Sequence, residues 1–192
     1  KKEAEGPLGK FFDQTFDDTT LGESSWEKAE SKLQTKAVNL AIEKSNISSK
    51  DINFIFAGDL LNQCISSTFG LRNLNIPFLG QYGACSTMAQ TLALASIMVD
   101  TGVANNCIAV TSSHFCSAER QFRFPLEYGG QRTPTAQWTV TGSGAIVVGS
   151  NGQNPKISSV TIGKITDLGI KDANNMGAAM APAAASTLED FF

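Results

Sequence analysis

The sequence predicts an α/β fold: a largely parallel sheet with helices on both faces. Two observations carry this expectation. Short apolar runs at 52–57, 77–82 and 107–111 alternate with longer stretches whose apolar residues recur at three- and four-residue intervals. Small-residue turns, Gly58-Asp59 and Gly83-Ala84-Cys85-Ser86, close or follow the first two runs. The resulting order, α-β-α-β-α-β-loop-β, implies right-handed crossovers and ligand groups at the carboxyl ends of the strands.

Residues 1–22 mix Gly, Asp, Thr and Phe without a steady period and read as an irregular lead-in anchored by Phe11, Phe12 and Phe16. Trp26, Ala29, Leu33, Ala37, Leu40 and Ala41 then mark an amphipathic helix, with Ser25 at its polar start and its end near Ser45-Asn46. Ile52 to Ala57 is a buried strand, Cys64 to Leu74 a second helix, and Pro77 to Tyr82 a second strand. An Ala-, Leu-, Ile- and Met-rich helix runs from the Cys85 junction to Val99, stopped by Gly102. Cys107 to Thr111 is the next strand, 112–138 a long polar excursion with aromatics, and Gly144 to Val148 a strand behind a Gly-Ser-Gly turn. Ile157, Val160, Ile162 and Ile165 predict a further strand, Asp167-Leu168-Gly169 a turn, and Ala178 to Phe192 a helix with no strand behind it.

In 192 residues, 42% hydrophobic content is enough to bury a continuous core. With 15 basic against 18 acidic residues, the net charge of -3 provides no broad field for nucleic acid or an anionic bilayer, so any anion must be held locally. No signal peptide is visible behind Lys1-Lys2-Glu3, and the Ala-rich stretch 176–187 is shorter than the roughly 20 apolar residues of a membrane span. Cys64, Cys85, Cys107 and Cys116 form no C-x-x-C pair and His114 is the single histidine, so no metal site is expected. Free thiols in a chain of this size point to a reducing compartment, although four cysteines could in principle pair.

Cys85 is the sharpest candidate. At a strand-to-helix junction, free backbone N–H groups and the helix dipole favour a thiolate, and the small neighbours Gly83, Ala84 and Ser86 let a substrate approach; the other reading is a small buried hydrophobe. Asp59, at a strand end, either caps the next helix or contacts ligand directly or through a cation. His114 reads as a hydrogen-bonded loop or pocket-wall residue ahead of a catalytic base. Arg120, Arg123 and Arg132 suit bidentate carboxylate recognition or are solvated surface groups. Phe115, Phe122, Phe124, Tyr128 and Trp138 either stack on a flat ring or anchor the excursion.

The junction Gly83-Ala84-Cys85-Ser86-Thr87 before an Ala-rich helix resembles the nucleophile elbow of the thiolase and ketoacyl synthase superfamily. The blocks Ala57 to Gln63 (which includes Asn62), Thr111 to His114, Ala118 to Arg123, Glu127 to Gln131, Gly142 to Ala145 and Met176 to Ala185 resemble one branch, the stage V sporulation protein AD family. This resemblance implies two related halves packed as a five-layer α-β-α-β-α sandwich. Residues 1–155 then form the N-terminal half without its opening strand, and 156–192 begin a truncated C-terminal half.

The resemblance also implies a sporulation protein that binds dipicolinic acid (pyridine-2,6-dicarboxylate) and supports its uptake into the developing spore through a degenerate pocket near Cys85. Calcium enters only as the dipicolinate chelate, and no cofactor is expected. Asp59, Asn62, His114, Arg120 and Arg123 are the expected ligand-binding residues beside Cys85. The superfamily's catalytic histidines come from the second half, so Cys85 alone carries over and an enzyme is less expected than a binding protein. The alternative is an acyltransferase or Claisen-condensing enzyme with Cys85 as the acyl-accepting nucleophile. Implied partners are a second copy and the membrane proteins encoded with this family in the stage V sporulation A operon, at the cytoplasmic side of the spore inner membrane; nucleic acid is not implied.

Overall fold

A computed structural model describes residues 3–123, 138–151, 155–172 and 175–192. Helix α1 spans Trp26–Ser45. The Ser25 hydroxyl accepts from Lys28 N at 3.3 Å, satisfying one free N–H of the first turn, and Asn46 ends the helix in the left-handed region at φ 55°. Strand β1 (Phe54–Gly58), helix α2 (Ile65–Leu71), strand β2 (Phe78–Gly80), helix α3 (Thr87–Asp100), strands β3 (Asn106–Ser113) and β4 (Gly142–Gly149), and helix α4 (Met176–Phe191) follow. Through β4 the order of helices and strands is as expected, and residues 124–137 of the expected excursion lie outside the described residues.

The sheet order is β2-β1-β3-β4. β1 is parallel to both β2 and β3. β4 is antiparallel to β3, from Asn106 against Gly149 to Ser113 against Gly142. The expected Gly142-Ser143-Gly144 turn is thus the first part of a strand, and only the β2-β1-β3 portion of the sheet is parallel.

Strand alternation divides the core. Ile55, Ala57, Ile108 and Val110 pack with Val38 of α1 and Leu71 of α2 on one face, while Phe56, Cys107 and Ala109 pack with Ala95 of α3 on the other. The result is three layers, helix-sheet-helix, around one sheet. The second sheet of a five-layer sandwich is not among the described residues.

Other departures have local causes. The second predicted helix is split: Gln63 and Cys64 have left-handed φ values of 60° and 53°, so α2 starts at Ile65, and a tighter 3-10 turn covers Arg72–Leu74. Residues 155–172 form no strand. Ile162 and Ile165 are exposed, because an apolar β-branched run needs a neighbouring strand to pair with. Phe11 and Phe12 are also exposed and do not anchor the lead-in.

Candidate functional site

Beyond β2 the chain turns through Gly83 into a 3-10 turn, Ala84–Ser86, which runs directly into α3. The Thr87 hydroxyl accepts from Gly83 N at 3.1 Å and donates to the Ala84 carbonyl at 2.8 Å, while Ser86 Oγ donates to the Gly83 carbonyl at 2.8 Å. These bonds hold Ala84 at φ 49°, where a Cβ is disfavoured. A Cβ at position 83 would have to displace the side-chain ends of Gln90 and Ser86, which it would meet at 2.7 and 2.9 Å. The turn presents Cys85 exposed at the start of the helical run, so it is not a buried packing residue. Cys116 is likewise exposed, whereas Cys64 and Cys107 are buried. Burial pushes both of those thiols up, and the Asp59 charge adds to the effect at Cys64.

Asp59, buried just after β1, is fully engaged. Oδ1 accepts from Leu61 N at 2.9 Å, and Oδ2 accepts from Ser67 N at 2.8 Å and Ser67 Oγ at 2.6 Å. It caps the first turn of α2 from outside the helix, one of the two roles its position allowed.

The structure adds a polar cluster that the sequence analysis missed. The buried stripe of α1 contains Glu30, Gln34 and Val38, each fully inaccessible. Leu33, Ala37 and Leu40, the apolar periodicity in the sequence, instead line an open crevice. Glu30 Oε1 accepts from Ser112 Oγ at 2.9 Å and Oε2 from Ser117 Oγ at 2.5 Å. Gln34 Nε2 reaches Ser67 Oγ at 3.0 Å, and Ser112 Oγ and the Gly58 carbonyl at 3.3 Å each. Burial pushes the Glu30 carboxyl up to about 7 against these hydroxyls, with the Asp59 charge adding to it. The legible signal was the four-residue ladder Trp26, Glu30, Gln34, Val38, which lies on one face of a helix.

His114 is 1% exposed. Nδ1 accepts from Cys116 N at 3.1 Å, which makes Nε2 the protonated nitrogen, donating to the Thr19 carbonyl at 3.0 Å. Its ring lies 5.2 Å from that of Trp26. Nε2 therefore joins the lead-in to the turn after β3, while Nδ1 holds that turn internally.

Asn62 N donates to Glu119 Oε1 and Glu119 N to the Leu60 carbonyl, at 2.9 and 2.8 Å, tying the loops after β1 and β3 together. Arg123 Nε donates to the Ala118 carbonyl at 2.6 Å, and Arg120 is exposed on the 3-10 turn Arg120–Phe122. That turn meets the Cys85 loop through an edge-to-face contact of Tyr82 and Phe122, centroids 6.1 Å apart. Arg132, Phe124 and Tyr128 lie outside the described residues.

The crevice, about 1780 Å³, opens at the carboxyl ends of β1 and β3 and is larger than one small ligand fills. Cys85, Asp59, Thr111, Ser112 and Phe122 line it, while Asn62, His114, Arg120 and Arg123 are outside its lining. It thus unites two of the six expected site residues directly, with Arg120 on the same short turn as a lining aromatic.

A sheet of this order with a helix-opening cysteine facing the crevice is an α/β fold of thiolase-like kind. Consistent with this, the fold is similar to the tetronic acid condensing enzyme AbyA1 (TM-score 0.53, 15% identity, 72% of this chain and 43% of that one). The 3-oxoacyl-[acyl-carrier-protein] synthase III of Aquifex aeolicus VF5 aligns with a TM-score of 0.47 at 18% identity, over 62% of this chain and 38% of that one. The family model for stage V sporulation protein AD matches residues 1–192, and the chain belongs to that family. It is 51% identical over 191 residues to stage V sporulation protein AD of Bacillus subtilis (strain 168), covering all of this chain and 56% of that protein's length. Among the described residues, no helix is long and apolar enough to cross a membrane.

Proposed function

We propose that the protein binds dipicolinic acid in the crevice beside Cys85 and supports its uptake into the developing spore. The observation that carries this reading is an exposed helix-opening cysteine on an open crevice, in a chain of the stage V sporulation protein AD family. A rigid dicarboxylate needs donors at two places. The helix-start amides around Cys85 and the exposed Arg120 beyond the Tyr82–Phe122 contact supply chemistry of that kind. Calcium enters this reading as the chelate of the ligand. Calorimetry of the full-length protein with dipicolinate tests it: saturable heat is expected, and no heat alongside tight acyl-CoA binding overturns it.

The exposure of Cys85 favours a second reading, acyl transfer with Cys85 as nucleophile. Mass spectrometry after incubation with acyl-CoA donors of several chain lengths decides it by the presence or absence of a Cys85 adduct.

Two partners complete the proposal. A second copy pairs along β2, an edge strand with Phe78 and Leu79 exposed, and membrane proteins of the same sporulation operon hold the dimer peripherally at the cytoplasmic face of the spore inner membrane. Sedimentation of the full-length protein and membrane co-fractionation test these two points.

A further inference from the structure

Three polar groups of Glu119 are engaged at one place. Its N–H donates to the Leu60 carbonyl at 2.8 Å, its Oε1 accepts from Asn62 N at 2.9 Å, and its own carbonyl accepts from Phe122 N at 2.8 Å. The first two bonds have the pattern of a parallel bridge, in which a residue donates to one position of the neighbouring chain and accepts from the position two further on. In a strand the acceptor is the backbone carbonyl, but that of Glu119 is already taken by the 3-10 turn Arg120–Phe122. The side-chain carboxylate supplies the acceptor instead. Pairing of β1 with β3, which stops at Gly58 and Thr111, is thereby resumed beyond the ends of both strands.

The turn that starts at Glu119 is tied further along as well. Arg123 Nε donates to the Ala118 carbonyl, Thr139 Oγ1 to the Phe122 carbonyl, and the Phe122 ring meets Tyr82, three residues before Cys85. Leu60 and Phe122 line the crevice and Glu119 does not, so its carboxylate acts on the mouth through these neighbours. We propose that Glu119 is the positioning residue for the Arg120–Phe122 turn: its carboxylate, standing in for a backbone carbonyl, holds the turn against the loop after β1 and so places Arg120 to receive a carboxylate of the ligand, a role that rests on dipicolinate binding in the crevice.

Without this bond Asn62 N loses its acceptor and the turn is no longer held to the loop after β1. Apparent affinity then falls by the fraction of molecules in which Arg120 is in place. The charge of Glu119 and its geometry predict opposite results. A carboxylate near an anion site repels the ligand, whereas its hydrogen bond holds the cation that attracts it. Gln removes the charge and keeps an acceptor oxygen at the same reach, while Asp keeps the charge on a side chain one methylene shorter.

Hydrogen exchange of the full-length, ligand-free protein and calorimetry with dipicolinate test this on Glu119→Ala, Glu119→Asp and Glu119→Gln. Protection of the Asn62, Phe122 and Arg123 amides is expected to fall about tenfold or more in the Ala and Asp variants and to stay within about threefold of the wild type in Glu119→Gln, with β1 and β3 amides unchanged in all three. Dipicolinate affinity is expected to split the same way, about tenfold weaker in the first two and within about threefold in the third. Arg120→Ala is expected to weaken binding with protection unchanged, and to add no further loss to Glu119→Ala. Unchanged protection in the Ala and Asp variants overturns the proposal, as does a loss in Glu119→Gln as large as in Glu119→Ala, a loss shared by β1 and β3, affinity kept or raised where protection is lost, or full affinity in Arg120→Ala. If Glu119→Ala does not fold, the Asp and Gln variants carry the comparison. Absence of dipicolinate heat in the wild type overturns the binding reading and the ligand half of this proposal with it, while the exchange pattern still decides whether Glu119 places the turn.

Discussion

Asp59 Oδ2 accepts both the backbone N–H and the hydroxyl of Ser67, at 2.8 and 2.6 Å. One carboxylate therefore fixes the end of β1 to the first turn of α2, and the crevice inherits its shape from that join. Asp59→Ala leaves these donors and Leu61 N without an acceptor in a buried place, and a loss of about 2–4 kcal/mol is expected. Asp59→Asn, which keeps one acceptor oxygen, loses less. Urea denaturation of the full-length protein checks both.

Glu30 makes stability depend on pH in a defined direction. Its folded value, about 7, lies above the ordinary glutamate value of 4.5, so the folded chain keeps a proton that the unfolded chain has already lost between those values. The contribution is complete below about pH 4.5, declines as the pH rises through about 7, and is flat beyond. Glu30→Gln removes this slope, and its stability relative to the wild type is expected to rise by on the order of 2–3 kcal/mol from pH 5 to pH 8. Denaturant midpoints at a series of pH values check it.

Gly58 admits no side chain. A Cβ there would collide with the Gln81 carbonyl and the Thr87 methyl, one of them backbone that cannot turn aside. Gly58→Ala is expected to cost about 1–3 kcal/mol and to displace the 81–83 segment that leads into the Cys85 turn. Thermal denaturation and the alkylation rate of Cys85 report the two effects separately.

Ala84 gives the opposite sign. At φ 49° it gains from losing its Cβ, and Ala84→Gly is expected to stabilise by up to about 1 kcal/mol after the added freedom of the unfolded chain is deducted. A higher denaturation midpoint with unchanged m-value checks it.

Thiol accessibility divides the four cysteines. Cys85 and Cys116 are expected to react quickly with a maleimide in the native protein, and Cys64 and Cys107 only on unfolding, because burial both covers them and disfavours their thiolates. Peptide mapping after a short labelling pulse counts them.

Much of this architecture is legible in residue periodicity. α1, β1, α3 and β3 follow from local patterns and their bounding Gly, Ser and Asn, since capping and alternation are decided within a few residues. Strand direction is not local: nothing in Gly142 to Gly149 says that β4 runs against β3. The α1 stripe misleads for the same reason. Glu30 and Gln34 are acceptable in a buried face only because Ser67, Ser112 and Ser117 arrive from distant parts of the chain, and a local reading assigns that face to Leu33 and Ala37. At the candidate site, Cys85 and Asp59 were legible from strand-end turns. His114 was legible as a residue, but its link to Thr19 was not.

The reversal of β4 has a further consequence. Because Ser113 stands opposite Gly142, the chain leaves the sheet and re-enters it at adjacent points, and Ser113 Oγ donates to the Val140 carbonyl across the gap at 2.6 Å. Whatever is threaded between these two points adds no offset to the ladder on either side. Relatives are free to lengthen, shorten or replace that insert and so change what meets a visiting molecule, while the frame holding Cys85 stays in register.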